Sequence, residues 1–228
     1  MNKNLGAREL WQGFAPLLLL VAISCASYFV LNFLFSLFGN RVEWLEGWLE
    51  ERGAQLRIFA SFFSFLVLPA TILAIRGRGV FQDKKTNWLF PFIFYLLVFL
   101  LAGGFYFVNP DFYYGFQQDL SPSAIFWLVF LAIRVFSVDY FTKRVVQGEL
   151  EPVIGPYGAQ AFQLVAWMVG HVYEVVWLVP LWGYAGGIIF LLVTGVASGY
   201  IYSKGGSVQA FMVFHWLMNV GIAILVSL

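Results

Sequence analysis

The sequence predicts an all-α fold, a polytopic transmembrane helix bundle of seven or eight spans forming a single integral-membrane domain over residues 1–228. Three observations carry this reading. The chain is 61% hydrophobic and 11% charged, with a mean hydropathy of +0.81, which is more apolar surface than a soluble core of its size can hide. Apolar runs close to the ~20 residues that cross a bilayer recur along the whole chain. Nine Trp, eleven Tyr and 26 Phe supply the aromatic residues that settle at membrane interfaces.

Taken in order, spans are expected at 14–38, 58–75, 88–108, 123–147, 159–179, 184–203 and 206–228. The first run is too long for a signal-peptide core and has no small-x-small cleavage pattern at its end. "AISC" before Ala26 is a poor lipoprotein box, so the run reads as a transmembrane helix. Next comes "RVEWLEGWLEERGAQLR", which mixes Trp and Leu with four Glu; an amphipathic helix on the membrane surface and an ordinary solvated loop helix fit it equally. The fourth run has an apolar outer half and a polar inner end. "SKGGS" joins the last two spans as a tight turn. The glycines of "GGFYF" (103–107) and "GYAGG" (183–187) read as packing or loop glycines, since neither group follows a strand. "RGRGVFQDKK" reads as a solvated loop, and "ELEP" (149–152) as surface.

Basic residues set the orientation. With the N-terminus cytoplasmic, Lys3, Arg8, Arg76, Arg78, Lys84, Lys85, Lys143, Arg144 and Lys204 lie inside, and only Arg41, Arg52 and Arg57 lie outside. A net charge of +1 gives no bulk electrostatic case for nucleic acid, and the single cysteine, Cys25, excludes an internal disulfide framework and a cysteine-rich metal site.

Ionisable groups inside a bilayer are costly, so each needs a reason. Arg134, Asp139, His171, Glu174 and His215 qualify, with Asn219 as a buried amide. His215 and Asn219 are one turn apart on one helical face, and that pair alone fits interhelical hydrogen bonding as well as chemistry. The two histidines are the only ones in the chain, and both fall inside spans. At ~1.5 Å rise per residue, His171 lies roughly 18 Å deep, His215 roughly 14 Å, Asn219 roughly 20 Å and Asp139 roughly 12 Å from the cytoplasmic side. Three helices therefore deliver polar groups to one slab, as an active site requires. Two mechanisms follow from a carboxylate and two imidazoles. In one, the carboxylate and one histidine activate water, and the other histidine with Asn219 forms an oxyanion site. In the other, the cluster holds a zinc ion that acidifies its water. The chain has no H-E-x-x-H motif and no G-x-S-x-G motif.

The order "DYFTKR" (139–144), "WMVGH" (167–171) and "HWLMN" (215–219) resembles the CAAX-processing and bacteriocin-processing family of intramembrane proteases, also called the Abi family. Its motifs are E-E-x-x-x-R, F-x-x-x-H and H-x-x-x-N or H-x-x-x-D on successive helices. The resemblance covers about residues 123–228, the motif-bearing core. It implies a metal-independent and cofactor-independent endopeptidase near the cytoplasmic face, in the plasma membrane of a bacterium or archaeon. The implied partners are membrane lipid and a peptide or protein substrate, lipid-modified in part of the family. By the resemblance Asp139 is the water-activating base, His171 its partner, His215 and Asn219 the oxyanion site, Arg144 the motif arginine that organises the carboxylates, and Trp167 the aromatic packing residue.

The first motif departs from the family pattern. Asp139-Tyr140 replaces the paired glutamates, and Lys143 and Val145 stand where Phe and Gly are usual. Asp is one methylene shorter than Glu, which sets its carboxylate about 1.5 Å further back, and a displacement on that scale can cost about a hundredfold in rate. Tyr140 can offer a hydroxyl to a water or a hydrogen bond. Glu174 can supply the second carboxylate or pair with Arg134, and the levels of the two residues on antiparallel spans favour the pair. The departures define an alternative to the protease: a weak or inactive relative acting as a membrane binding or immunity protein.

Overall fold

A computed structural model describes residues 7–39, 56, 58–81, 86–108 and 124–227. Every element there is helical, apart from an isolated parallel bridge between Asn87 and Gly206. Helix α1 spans Ala7–Gly39. Helix α2, Ile58–Ile75, contains a π-helical stretch, Phe63–Val67. Helix α3 is Leu89–Val108, and α4 is Ala124–Asp139, prolonged by a second π-helical stretch, Tyr140–Gln147. Helices α5 (Gly148–Gly170), α6 (Val172–Ser203) and α7 (Val208–Ser227) complete the bundle. The surface-helix reading of 41–57 falls outside the described residues except for 56, and the loop 109–122 and the side chain of Glu174 also lie outside them.

Trp11–Phe35, Ile58–Ile75, Gly183–Ser203 and Val208–Leu225 are each long and apolar enough to cross a membrane, and Leu89–Phe105 is a shorter apolar helix. The other expected spans, 123–147 and 159–179, do not qualify as uninterrupted apolar helices among the described residues. The first carries the polar end from Asp139 onward, and the second is broken at His171 (φ −113°, ψ 14°).

Two glycines with left-handed φ shape the second half of the chain. Gly155 (φ 79°) sits between Pro152 and Pro156 and divides α5. Gly183 (φ 66°) divides α6, and beyond it the chain runs back along α5. The antiparallel register is fixed by Gln160 donating to the Val196 carbonyl at 2.9 Å and by Trp167 lying against Gly195. Asn87 ties α3 to α7: its backbone bonds Gly205 and Ser207, and its side chain accepts from Phe90 N–H at 3.2 Å, capping α3. From that common start α3 and α7 run parallel, with Phe92 on Phe214, Tyr95 on His215 and Phe99 against Gly221. Helix α4 runs antiparallel to α7, held near one end by the Trp216 Nε1–H bond to the Leu128 carbonyl.

Burial is inverted relative to a water-soluble protein. Phe29, Phe33, Leu97, Leu100 and Val193 face outward, while Asp139, Lys143, Arg144, Gln147, His171 and His215 are buried. Lipid accepts the apolar exterior, and the polar groups must then find partners inside the bundle.

Candidate active site

The first determinant of the site is the π-helical stretch that ends α4. Its hydrogen bonds reach back five residues, as in the Gly148 N–H to Lys143 carbonyl bond, and all eight of its side chains are buried. Wider π turns of this kind are common at functional sites. Asp139 stands at its head, 0% exposed. Lys143, one turn on, places Nζ 2.7 Å from Asp139 Oδ1, and both side chains are fully buried. The same ammonium lies 4.5 Å from the ring centroids of Trp167 and of Phe211, so apolar faces of α5 and α7 flank it.

Helix α7 delivers His215 to the other carboxylate oxygen, with Nδ1 2.9 Å from Asp139 Oδ2. The two residues are 76 apart in sequence and meet because α4 and α7 cross antiparallel. From α3, the Tyr95 hydroxyl reaches both carboxylate oxygens at 3.4 Å, a long bifurcated bond. The Tyr95 ring stacks on His215 at 4.8 Å and 14°. On the far side stands His171, its ring centroid 6.1 Å from that of His215 and tilted 14° from it. Trp167 covers His171 at 3.9 Å, and the His171 Nδ1 bonds the Trp167 carbonyl at 2.9 Å. Because a carbonyl oxygen only accepts, that bond places a hydrogen on Nδ1.

The structure thus gathers Asp139, His171 and His215 from three helices. Asn219 lies one turn beyond His215 and donates its amide to the His215 carbonyl at 3.0 Å. Two expected supporting residues face elsewhere. The Tyr140 hydroxyl donates to the Val80 carbonyl at 3.0 Å, outside the imidazole cluster. Arg144 organises a different carboxylate: its guanidinium bonds the Gly79 carbonyl at 2.8 Å and Glu149 at 2.6 Å. Glu149, read from sequence as surface, is therefore the partly buried partner of Arg144, and the Arg144 guanidinium fastens the 76–81 loop to the π-helical stretch that prolongs α4. Lys143 and Arg144 are buried cations, so the inside bias of charge rests on fewer loop residues than the sequence suggested.

Lys143 and Tyr95 are the members of the cluster that sequence reasoning did not place there. Lys143 carried a usable sign, its i, i+4 spacing from Asp139 on a polar helix end. Tyr95 carried none, being one of eleven tyrosines, set in "FPFIFYLLVF". Among the described residues no group of three or more His, Cys, Asp or Glu is disposed to hold a metal ion.

Residues 120–221 match the family model described as type II CAAX prenyl endopeptidase Rce1-like. The proteins named "Probable quinol oxidase subunit 3" from Staphylococcus aureus strains USA300, NCTC 8325 / PS 47 and COL are 27% identical to this chain over 146 residues, 60% of this chain and 70% of theirs. Helices drawn from a few apolar residue types reach such identity easily, and this likeness carries no functional argument here. No solved structure matches.

Proposed function

We propose that this chain is an intramembrane endopeptidase in which His215, oriented by Asp139, activates the attacking water; the match of residues 120–221 to the Rce1-like CAAX endopeptidase model supports the reading. The family is one of proteases, and the apolar helices make the chain an integral membrane protein. The observation that carries the mechanism is the 2.9 Å contact between Asp139 Oδ2 and His215 Nδ1, made inside the bundle beside a second imidazole.

The carboxylate itself is poorly disposed to act as the base. Lys143 engages Oδ1, His215 engages Oδ2, and the Tyr95 hydroxyl leans on both. An imidazole that donates Nδ1–H to a carboxylate is held in one tautomer and presents Nε2 as a proton acceptor. His215 then takes the proton from water. His215, now carrying that proton, returns it to the leaving amine, while His171 stands beside it with Nδ1 pinned to the Trp167 carbonyl. Asn219, one turn outward, supports the oxyanion. Hydrolysis proceeds without a metal. The substrate is a peptide or protein tail, lipid-modified where the lipid aids its lateral approach through the bilayer. The bundle has seven spans, with the N-terminus and the catalytic level toward the cytoplasm.

A second reading, a binding or immunity protein without turnover, is favoured by the buried Lys143–Asp139 pair, which neutralises the cluster's carboxylate. One experiment separates the two. Cells producing wild type, Asp139→Asn, His171→Ala or His215→Ala at matched membrane levels are compared by mass spectrometry of protein termini. New termini present only with wild type support the protease, with Asp139→Asn lowering their yield by about 10⁴ as the imidazole loses the carboxylate that sets its tautomer. Identical termini in all four strains would exclude catalysis.

A further inference from the structure

We infer that Lys143 is a positioning residue of this site: its ammonium occupies Asp139 Oδ1 and supplies the counter-charge that commits Oδ2 to His215 and keeps that imidazole neutral, with its hydrogen on Nδ1. The inference deepens the proposed mechanism and rests on it for its catalytic meaning, but its structural content is testable separately.

Asp139 and Lys143 are both 0% exposed and meet at 2.7 Å, so neither charge has water to share. Such a pair persists only when each member satisfies the other. Among the described residues Lys143 makes no other hydrogen bond or ion pair, and the Trp167 and Phe211 rings fix where its ammonium sits. Among the described residues, three helices present groups to His215. Helix α4 presents Asp139 and, behind it, Lys143; α3 presents the Tyr95 ring and hydroxyl; α5 presents His171 and Trp167. Arg144 is turned away to Gly79 and Glu149.

Without Lys143 the carboxylate would have only the imidazole and a long hydroxyl bond to offset a buried negative charge. It would then draw a proton, either onto itself or by holding His215 as imidazolium. Both outcomes spoil the base. A protonated Asp139 no longer imposes the Nδ1–H tautomer, and an imidazolium has no lone pair for water. With the lysine in place the Asp–Lys pair is neutral as a unit, yet Oδ2 still accepts a strong, directed bond. The lysine at this position thereby has a use beyond neutralising the acid.

The chain contains only two histidines, which makes the test direct. Protein labelled with ¹⁵N-histidine is reconstituted in lipid, and His171→Gln identifies the His215 resonances. In wild type, His215 is expected to show one protonated and one bare nitrogen. Lys143→Met is expected to give imidazolium or mixed tautomers at His215 and to leave the His171 resonances in place. Lys143→Arg is expected to restore the wild-type pattern. If Lys143→Met fails to fold, Lys143→Gln, which keeps a donor to Asp139 Oδ1 without the charge, is read in its place, and the same change at His215 is expected. Cleavage by Lys143→Met should fall at least tenfold in kcat with KM within twofold. An imidazolium in wild type, or an unchanged His215 spectrum on loss of Lys143, overturns the inference. A changed spectrum in a protein that cleaves nothing leaves the positioning role standing and ends the protease reading instead.

Discussion

Gly195 offers a sharp test of how the imidazole cluster is held. A Cβ at this position would lie 2.7 Å from Trp167 Cδ1, 3.2 Å from Trp167 Nε1 and 2.7 Å from Leu164 Cδ1. Carbon atoms pack comfortably at about 3.5–4.0 Å, so Gly195→Ala must move the indole by about 1 Å. The indole cannot yield freely. It is buried, stacked at 3.9 Å on His171 and covered by the Lys143 ammonium at 4.5 Å, so the displacement passes to the groups that define the site. Misplacement on this scale costs about a hundredfold in rate. Stability responds less, because overpacking costs about 1–3 kcal/mol while Gly→Ala in a helix returns about 1 kcal/mol. The expected phenotype is a folded protein with kcat lowered ten- to hundredfold and an unfolding midpoint close to wild type. Gly170→Ala is the control: it neighbours His171, yet among the described residues its Cβ would meet only Val138 Cγ1 at an ordinary 3.5 Å and Cγ2 at 3.9 Å. Turnover and denaturation of the two variants in the same detergent decide the matter. Wild-type turnover in Gly195→Ala, or an equal loss in Gly170→Ala, would refute the argument that Trp167 sets the position of His171.

Two further substitutions probe the supports outside the cluster. Arg144→Met removes the bonds to Glu149 and to the Gly79 carbonyl and leaves a partly buried carboxylate unpaired, so chemical denaturation should show a loss of about 2–4 kcal/mol. The fraction that stays folded should keep its kcat, since Arg144 does not touch Asp139. Tyr140→Phe deletes only the hydroxyl bond to Val80, with an expected cost of about 1 kcal/mol by the same measurement and no change in turnover. A large kcat effect in Tyr140→Phe would restore the tyrosine to the site.

What the sequence revealed was set by periodicity and by the rarity of polar residues in lipid. Asp139, His171 and His215 stood out because nothing but a reason keeps such groups in an apolar helix, and rise per residue brought them to one level. The return of the chain near Gly183 was legible in the break between the expected spans 159–179 and 184–203. Other features were hidden for physical reasons. Hydropathy does not distinguish an i→i+5 turn from an i→i+4 turn, so the π-helical stretch 140–147 was invisible, and with it the burial of Lys143 and Arg144. Those two cations look like interfacial charges on any linear plot. The Arg144–Glu149 pair depends on the chain continuing as helix through Gly148, which a glycine next to "ELEP" does not advertise. Tyr95 acquires its place only from the parallel packing of α3 on α7, a tertiary fact anchored at Asn87.

The hairpin turned at Gly183 bears on how the protein is made. Gln147 sends its amide to the Gly199 carbonyl and to Ser203 Oγ, each at 2.8 Å, and Gln160 reaches the Val196 carbonyl. The glutamines precede Gly183 and their acceptors follow it. Released into lipid alone, the leading leg would carry bare amides, at a cost of several kcal/mol. The two legs therefore have to leave the insertion machinery as a couple, which delays the burial of His171 until the chain has been synthesised past Ser203.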